Sequence, residues 1–344
     1  MTKVAIVGST TWGTTLGIVM ARKGIEAVLL ARTSEEASRM QSERRHLRHL
    51  QGISFPDGLR VSGDPEEALE AAKIAVVAVP AKDFRSNLRS IRPALRGEVA
   101  IVSATKGLEP ESALRMSQVM EEEVPSALHP LVCVLSGPNL AGEIAAGRPS
   151  SSVVASRSEE ASREVQESLM SSTFRVYTND DVVGVELGGT LKNIIAIGAG
   201  ICDGMKYGEN GKAALITRGL AEITRLGVAA GANPATFAGL AGMGDLVATC
   251  VSPLSRNRHV GEQLALGRTT DEILASMTNV AEGVQTTAEA LKMARKLGVE
   301  MPITEAIYRV LFEKLDPTKA VMELMGRPPR SEDDGSISWG AGDS

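Results

Sequence analysis

The chain has 344 residues, 43% hydrophobic and 23% charged, the balance of an ordinary globular protein with room for two domains. A net charge of −5, a pI near 5.6 and an aromatic content of 3% exclude a general nucleic-acid surface, which needs a basic stripe and stacking rings. Three widely spaced cysteines, Cys133, Cys202 and Cys250, form no CxxC pair and indicate neither a disulfide framework nor a metal site, so a reducing, cytoplasmic setting is expected.

The opening MTKVAIVGS enters an apolar strand directly, with no basic leader region or long apolar core, as expected of a mature cytoplasmic terminus. Short β-branched runs follow at 4–7, 28–31, 74–79, 99–103 and 132–135, alternating with helical segments at 14–23, 66–72 and 112–123. This alternation predicts a parallel sheet covered on both faces, since its strands are continuously apolar rather than apolar on every second residue. Weaker strands at 152–155 and 174–177 flank a polar helix at 159–171 and extend the same sheet. After 181 the strand signal ends and the remainder reads as helices punctuated by Gly and Pro. The expected organisation is an α/β domain over 1–181 and an all-α domain over 182–326. The Pro-, Gly-, Ser- and acid-rich tail, 327–344, cannot bury enough apolar surface to order itself. The run from 187 to 202 approaches bilayer-spanning length, but its glycines, Lys192 and the following Asp203 favour a buried helix over membrane insertion.

The first strand leads into Gly8-Ser9-Thr10-Thr11-Trp12-Gly13 and then a helix, the place where backbone N–H groups and the helix dipole hold a pyrophosphate. Gly8 and Gly13 take the first and third positions of the dinucleotide fingerprint, with Thr10 in place of the second glycine. The 1–181 domain is therefore expected to be a Rossmann-like, doubly wound sheet. At the end of the second strand an acidic residue would bind the ribose 2′-hydroxyl of NAD; this chain has Arg32, which suits the 2′-phosphate of NADP(H), with NAD(H) as the second cofactor. Later strand ends lead into Lys106-Gly107-Leu108 and Ser136-Gly137-Pro138-Asn139-Leu140-Ala141, loops expected to border the ligand crevice.

The helical half contributes a lone lysine, Lys192, in an otherwise uncharged run. Burial would lower its pKa and make it a proton donor or acceptor, whereas a snorkelling lysine would keep its charge in water. Asp245, after a Gly-Met-Gly turn, can orient that lysine, and Ser255-Arg256 reads as a helix N-terminus able to hold a phosphate. These residues suit an NADP-linked reductase of a small anionic ketone. A non-catalytic nucleotide sensor and a ketopantoate or hydroxy-acid reductase are the alternatives.

The segments GSTTWGTTLG, LSGPNLAGE, ELGGTLKNIIAIGAGICDG, GENGKAALITRGLAE, TFAGLAGMGDLVATC, SRNRHVG and VAEGVQT resemble the bacterial NAD(P)-dependent glycerol-3-phosphate dehydrogenases, in order from about residue 3 to 326. The resemblance implies reversible reduction of dihydroxyacetone phosphate to sn-glycerol 3-phosphate, feeding phospholipid synthesis, by a cytoplasmic homodimer. It implies Lys192 as proton acceptor, and Lys106, Gly137, Asp245, Ser255, Arg256 and Asn257 as substrate contacts. Thr11, Trp12, Arg32, Lys106, Ala141, Arg256, Val280 and Glu282 match cofactor contacts. Three departures stand out: Thr10 for glycine, whose side chain could crowd the pyrophosphate or displace a water; Asn139 for serine or threonine, which leaves room for a longer polar substrate contact; and Glu209 and Gly211 in the stretch the family writes GDNAKAAL. They bear on cofactor affinity rather than on the type of reaction.

Overall fold

The computed structural model describes residues 2–277, 280–329 and 331–332. The expectation of a disordered tail therefore lies mostly outside the described residues. Contacts group the chain up to Thr105 with Arg115–Val182 as one compact unit, and Lys106–Leu114 with the chain from Val183 onward as a second. A single break at 181 would leave 106–114 with the sheet, whereas its contacts are with the helices.

The first unit is built on one eight-stranded sheet in the order β3-β2-β1-β4-β5-β6-β7-β8. The strands are β1 (Lys3–Val7), β2 (Glu26–Leu30), β3 (Leu59–Ser62), β4 (Ala72–Val77), β5 (Ala100–Ser103), β6 (Val132–Ser136), β7 (Ser150–Ser156) and β8 (Phe174–Asn179). The helices are α1 (Thr11–Arg22), α2 (Ser34–Glu43), α3 (Pro65–Leu69), α4 (Phe84–Ile91), α5 (Met116–Glu123), α6 (Ala141–Ala145) and α7 (Glu159–Leu169). The order 3-2-1-4-5-6 reverses direction at β1, which is the doubly wound arrangement whose switch point takes a ligand. Val4, Ile6, Leu29, Ile74, Val76 and Val102 are fully buried, consistent with helices on both faces. Side chains of Thr33, Asp64 and Ser158 cap the helices that follow them, accepting from the N–H groups of Glu36, Glu66 and Ala161 at 3.0–3.2 Å.

Two features depart from the sequence reading. β3 is an additional strand, and β7 runs antiparallel to β6 before β8 resumes parallel pairing with β7, so the sheet is mixed rather than wholly parallel. The helix expected over 112–123 begins only at Met116; Glu111 and Ala113 before it hold positive φ of 72° and 56°.

The second unit contains α8 (Val182–Gly204), α9 (Gly208–Ala229), α10 (Pro234–Phe237), α11 (Asp245–Val251), α12 (Arg256–Ala265), α13 (Thr270–Ser276), α14 (Glu282–Leu297), α15 (Pro302–Phe312) and α16 (Pro317–Met325). A π-helical turn, Leu240–Gly244, leads into α11. α8 is long and apolar enough to cross a bilayer, but nearly all of it is buried, with Leu191, Ile194, Ile195 and Ile197 at zero exposure; it is a core helix. Leu108, from the 106–114 segment, is buried in the same core.

α8 and α12 cross where neither has a side chain. A Cβ on Gly200 would stand 1.9 Å from the Arg258 carbonyl oxygen, and one on Gly261 would stand 1.9 Å from that of Ile197. The glycines in this apolar run therefore allow backbone contact, and that contact places the first turn of α12 beside the middle of α8.

Candidate functional site

In the first unit the β1–α1 turn is compact. Gly8 has φ +108°, open to glycine and strained for other residues, and a Cβ there would meet Val79 at 2.6 Å and the Ala78 carbonyl oxygen at 2.8 Å. A Cβ on Gly13 would lie 2.3 Å from the Gly8 carbonyl oxygen, so the helix packs directly on the turn. Thr10 is the N-cap of α1: its hydroxyl accepts from the Gly13 N–H at 3.0 Å and donates to the Ala78 carbonyl at 2.7 Å. Its side chain is thus committed to the turn and to the end of β4, where the sequence reading expected it to crowd the pyrophosphate. The N–H groups of Thr11 and Trp12 open the helix without intrahelical acceptors, and the Trp12 indole Nε1 is buried with no partner. This turn fits a dinucleotide pyrophosphate.

The other first-unit candidates lie at the same carboxyl edge of the parallel strands. Arg32 follows β2 with its side chain 71% exposed, 3.6 Å from Glu36. Gly137 follows β6 with φ +138°, and a Cβ there would meet Ser152 Cα at 3.1 Å. Asn139 donates through Nδ2 to Ser152 Oγ at 3.2 Å, while its Oδ1 is buried without a partner. Since Ser152 Oγ gives its own proton to the Ser136 carbonyl at 2.7 Å, it can only accept from Asn139, which fixes the amide orientation. Ala141 begins α6, and its carbonyl receives the Thr15 hydroxyl at 3.3 Å.

His46, which the sequence reading passed over, pins the dinucleotide turn from outside. It is buried and its Nε2 lies 2.9 Å from the Ser9 carbonyl, while Nδ1 accepts from the N–H groups of Arg48 and His49 at 3.1 and 3.0 Å. With Nδ1 accepting, Nε2–H donates to Ser9 and the ring is neutral; burial lowers its pKa in the same direction. A histidine in a basic stretch carries no sequence signal for this role.

In the second unit, Lys192 is 4% exposed in the middle of α8. Its Nζ donates to Asp245 Oδ1 at 2.5 Å and to the hydroxyl of Thr249, which passes its own proton to the Asp245 carbonyl at 2.7 Å. Lys106 Nζ lies 2.6 Å from the other Asp245 oxygen, so one buried carboxylate holds two ammonium groups. Burial pulls the Lys192 pKa from 10.5 to about 8; Asp245 opposes this and the Lys106 charge reinforces it. Gly188 lets the π-helical turn lie against α8, since a Cβ there would be 2.8 Å from the Ala241 carbonyl oxygen. Thr249, four residues after Asp245 on α11, is a further site residue, and helical spacing from Asp245 was the signal that could have found it.

Beside α8, Ser255 caps α12 by accepting from the Arg258 N–H at 3.2 Å, leaving the N–H groups of Arg256 and Asn257 directed outward. Arg256 makes no hydrogen bond or ion pair among the described residues; protein packed around its guanidinium lowers its pKa, and the carboxylate of Glu282, first residue of α14, opposes this. Asn257 is largely committed, donating to Asn193 Oδ1 at 2.9 Å and accepting from the Gly283 N–H at 2.9 Å. Lys192, Asp245, Lys106 and Thr249 are thus joined by hydrogen bonds, and Asn193 with Asn257 ties α8 to the first turn of α12 and the start of α14. Val280 is 41% exposed before α14. Glu209 and Gly211 are exposed in the first turn of α9, apart from this network.

The chain matches the family models for the NAD-dependent glycerol-3-phosphate dehydrogenase N-terminus over residues 3–162 and C-terminus over residues 181–322. It is 51% identical over 326 residues to a glycerol-3-phosphate dehydrogenase [NAD(P)+] of Dehalococcoides mccartyi, covering 94% of this chain and 91% of the relative. It is 45% identical over 332 residues to the protein of that name from Chlorobium chlorochromatii, covering 96% and 99%. The crystal structure of a glycerol-3-phosphate dehydrogenase from Coxiella burnetii superposes with a TM-score of 0.89 at 39% identity, covering 95% of this chain and 99% of that one. With both family models matched in order and half of the aligned residues identical to such a relative, the chain belongs to the NAD-dependent glycerol-3-phosphate dehydrogenase family.

Proposed function

We propose that this protein catalyses the reversible, NAD(P)H-dependent reduction of dihydroxyacetone phosphate to sn-glycerol 3-phosphate, with Lys192 as the proton donor and acceptor. The observation that carries the reading is a buried lysine held by Asp245 and Thr249, whose pKa burial pulls down to about 8. Such a group is charged enough at neutral pH to protonate a developing alkoxide and acidic enough to release its proton readily. Asp245 orients Lys192 and stabilises its ammonium, and Lys106 adds a second positive charge to polarise the carbonyl oxygen. In the reverse direction neutral Lys192 takes the alcohol proton.

The nucleotide, when bound, supplies or accepts the hydride. Gly8, Gly13 and the N–H groups of Thr11 and Trp12 hold its pyrophosphate, with Thr10 acting on it through the geometry of the turn. Arg32 takes the 2′-phosphate of NADP(H), which favours NADP(H) over NAD(H). In this reading the first unit is the nucleotide-binding domain, with Ala141 as a cofactor contact and Gly137 and Asn139 as substrate contacts at its strand edge. The second unit, with 106–114, carries the remaining substrate groups. Arg256 and the capped N-terminus of α12, with Ser255 and Asn257, bind the substrate phosphate. Glu282, whose charge acts on Arg256, and Val280 are further cofactor contacts in this reading.

The three cysteines are free, which accords with cytoplasmic residence, and the product suits a supply role in phospholipid synthesis. A homodimer is the proposed assembly; Met243, Val247, Val251 and Leu254, 43–68% exposed along and just beyond α11, form an apolar face that suits one. Sedimentation that gives a monomer at micromolar concentration would remove that assembly from the account.

Lys192→Ala tests the chemical role directly. Turnover is expected to fall by about 100-fold or more while NADP+ binding, measured by titration calorimetry, is retained. An unchanged kcat would take Lys192 out of the mechanism. An anion site at Arg256 predicts that Arg256→Ala raises KM for dihydroxyacetone phosphate by about tenfold or more, and an unmoved KM would place the phosphate elsewhere.

A further inference from the structure

The segment between α2 and β3 carries four basic side chains within five positions, Arg44, Arg45, His46 and Arg48, and the structure assigns them different tasks. Arg44 is occupied by the carbonyl groups of Leu59 and Pro56, at 2.9 and 2.6 Å. Arg45 is paired with Glu43 at 2.8 Å, and His46 is buried against the Ser9 carbonyl. Arg48 alone of the four is uncommitted: its side chain is exposed and makes no hydrogen bond or ion pair among the described residues.

Its backbone, in contrast, is fixed. The Arg48 N–H donates to His46 Nδ1, and the opposite ring nitrogen of His46 donates to Ser9, so Arg48 is two hydrogen bonds from the dinucleotide turn. The charges of Arg48 and Glu36 are both felt at the His46 ring, and Glu36 is the partner of Arg32. Arg32, Glu36, His46 and Arg48 thus form one neighbourhood at the carboxyl ends of β1 and β2. It holds two exposed guanidinium groups, and Glu36 is tethered to one of them. A phosphate monoester, dianionic near neutral pH and presenting three acceptor oxygens, is the ligand that two such groups suit, whereas a ribose hydroxyl offers them no charge.

We infer that Arg48 acts with Arg32 to bind the 2′-phosphate of NADP(H), and that the pair sets the cofactor preference of this protein. The proposal rests on the reading of the β1–α1 turn as the nucleotide site and names a further specificity-determining residue there. Thr33, which follows Arg32, caps α2 with its side chain and brings no charge, so Arg48 supplies the second cation from another part of the chain.

The test is equilibrium binding of NADP+, NAD+, 2′,5′-ADP and 5′-AMP to the full-length protein by titration calorimetry, for wild type, Arg48→Ala, Arg48→Lys and Arg32→Ala. Arg48→Ala is expected to weaken NADP+ and 2′,5′-ADP by about tenfold or more, and NAD+ and 5′-AMP by less than about twofold, with Arg48→Lys intermediate. Arg32→Ala should show the same pattern. Equal losses for NADP+ and NAD+ in Arg48→Ala would make Arg48 a structural part of the turn and overturn the proposal, as would unchanged NADP+ affinity. Wild type binding NADP+ and NAD+ equally would also overturn it while leaving the dinucleotide site standing. Failure of wild type to bind either cofactor would instead overturn the reading of the turn itself.

Discussion

At the scale of single residues, the proposed chemistry rests on Lys192, which burial pushes towards neutrality while the Asp245 carboxylate holds it charged. Burial lowers the Lys192 pKa from 10.5 to about 8, so between those values the unfolded chain binds more protons than the folded one. Stability contributed by this group therefore rises with pH across that window and is absent below it. With Lys192 in the proposed role, kcat for glycerol 3-phosphate oxidation should increase with a midpoint near pH 8, and kcat for ketone reduction should decline through the same range. A pH profile flat from about 7 to 9 in both directions would contradict the assignment. Thr10 gives a second residue-scale prediction. Because its hydroxyl holds Gly13 and Ala78, Thr10→Ala should cost about 1 kcal/mol of stability in urea denaturation, and Thr10→Gly should not tighten NADP+ binding. Tighter binding would show that the threonine obstructs the pyrophosphate after all. Lys192 and Asp245 were legible in the sequence because a charge in an apolar run and an acid after a glycine turn each break a local pattern. Thr249 and His46 break none; their roles arise from what packs against them.

At the scale of elements, close approach does more than periodicity to assemble the second unit. The Gly200 and Gly261 contact sets the spacing of α8 and α12, on which the Asn193–Asn257 hydrogen bond depends. Gly261→Ala should lower the urea midpoint by the equivalent of about 1–3 kcal/mol and raise KM for dihydroxyacetone phosphate, because α12 must move to admit the methyl group. Wild-type stability in that variant would mean the crossing is looser than described. Buried Glu222 of α9 plays a comparable part: it accepts the N–H groups of Ile303 and Thr304 at 2.8 Å each, satisfying the first turn of α15. Glycines in apolar helices can be read from sequence, but the helix each one meets cannot, because the partner lies tens of residues away. In the first unit, β3 escaped sequence reading because LRVS is short and carries an exposed arginine. The antiparallel course of β7 escaped it because strand direction depends on the route of the connection, and α6 between β6 and β7 is only five residues long.

At the scale of the whole molecule, the alternation of strands and helices up to 181 and the purely helical remainder are reproduced in the elements, because continuous apolar strands and 3.6-residue periodicity are local signals. The allegiance of Lys106–Leu114 is not local: the segment leaves β5 and joins the helical unit, bringing Lys106 to the same carboxylate as Lys192. The result is two ammonium groups gathered at one buried acid, the cluster on which the proposed proton transfer rests. The most direct test is the rate of NADPH oxidation by the purified full-length protein with dihydroxyacetone phosphate, run beside ketopantoate and beside the Lys192→Ala variant. Turnover is expected to require dihydroxyacetone phosphate, to be absent with ketopantoate and to collapse in the variant. No turnover by folded wild-type protein, or turnover with ketopantoate instead, would contradict it.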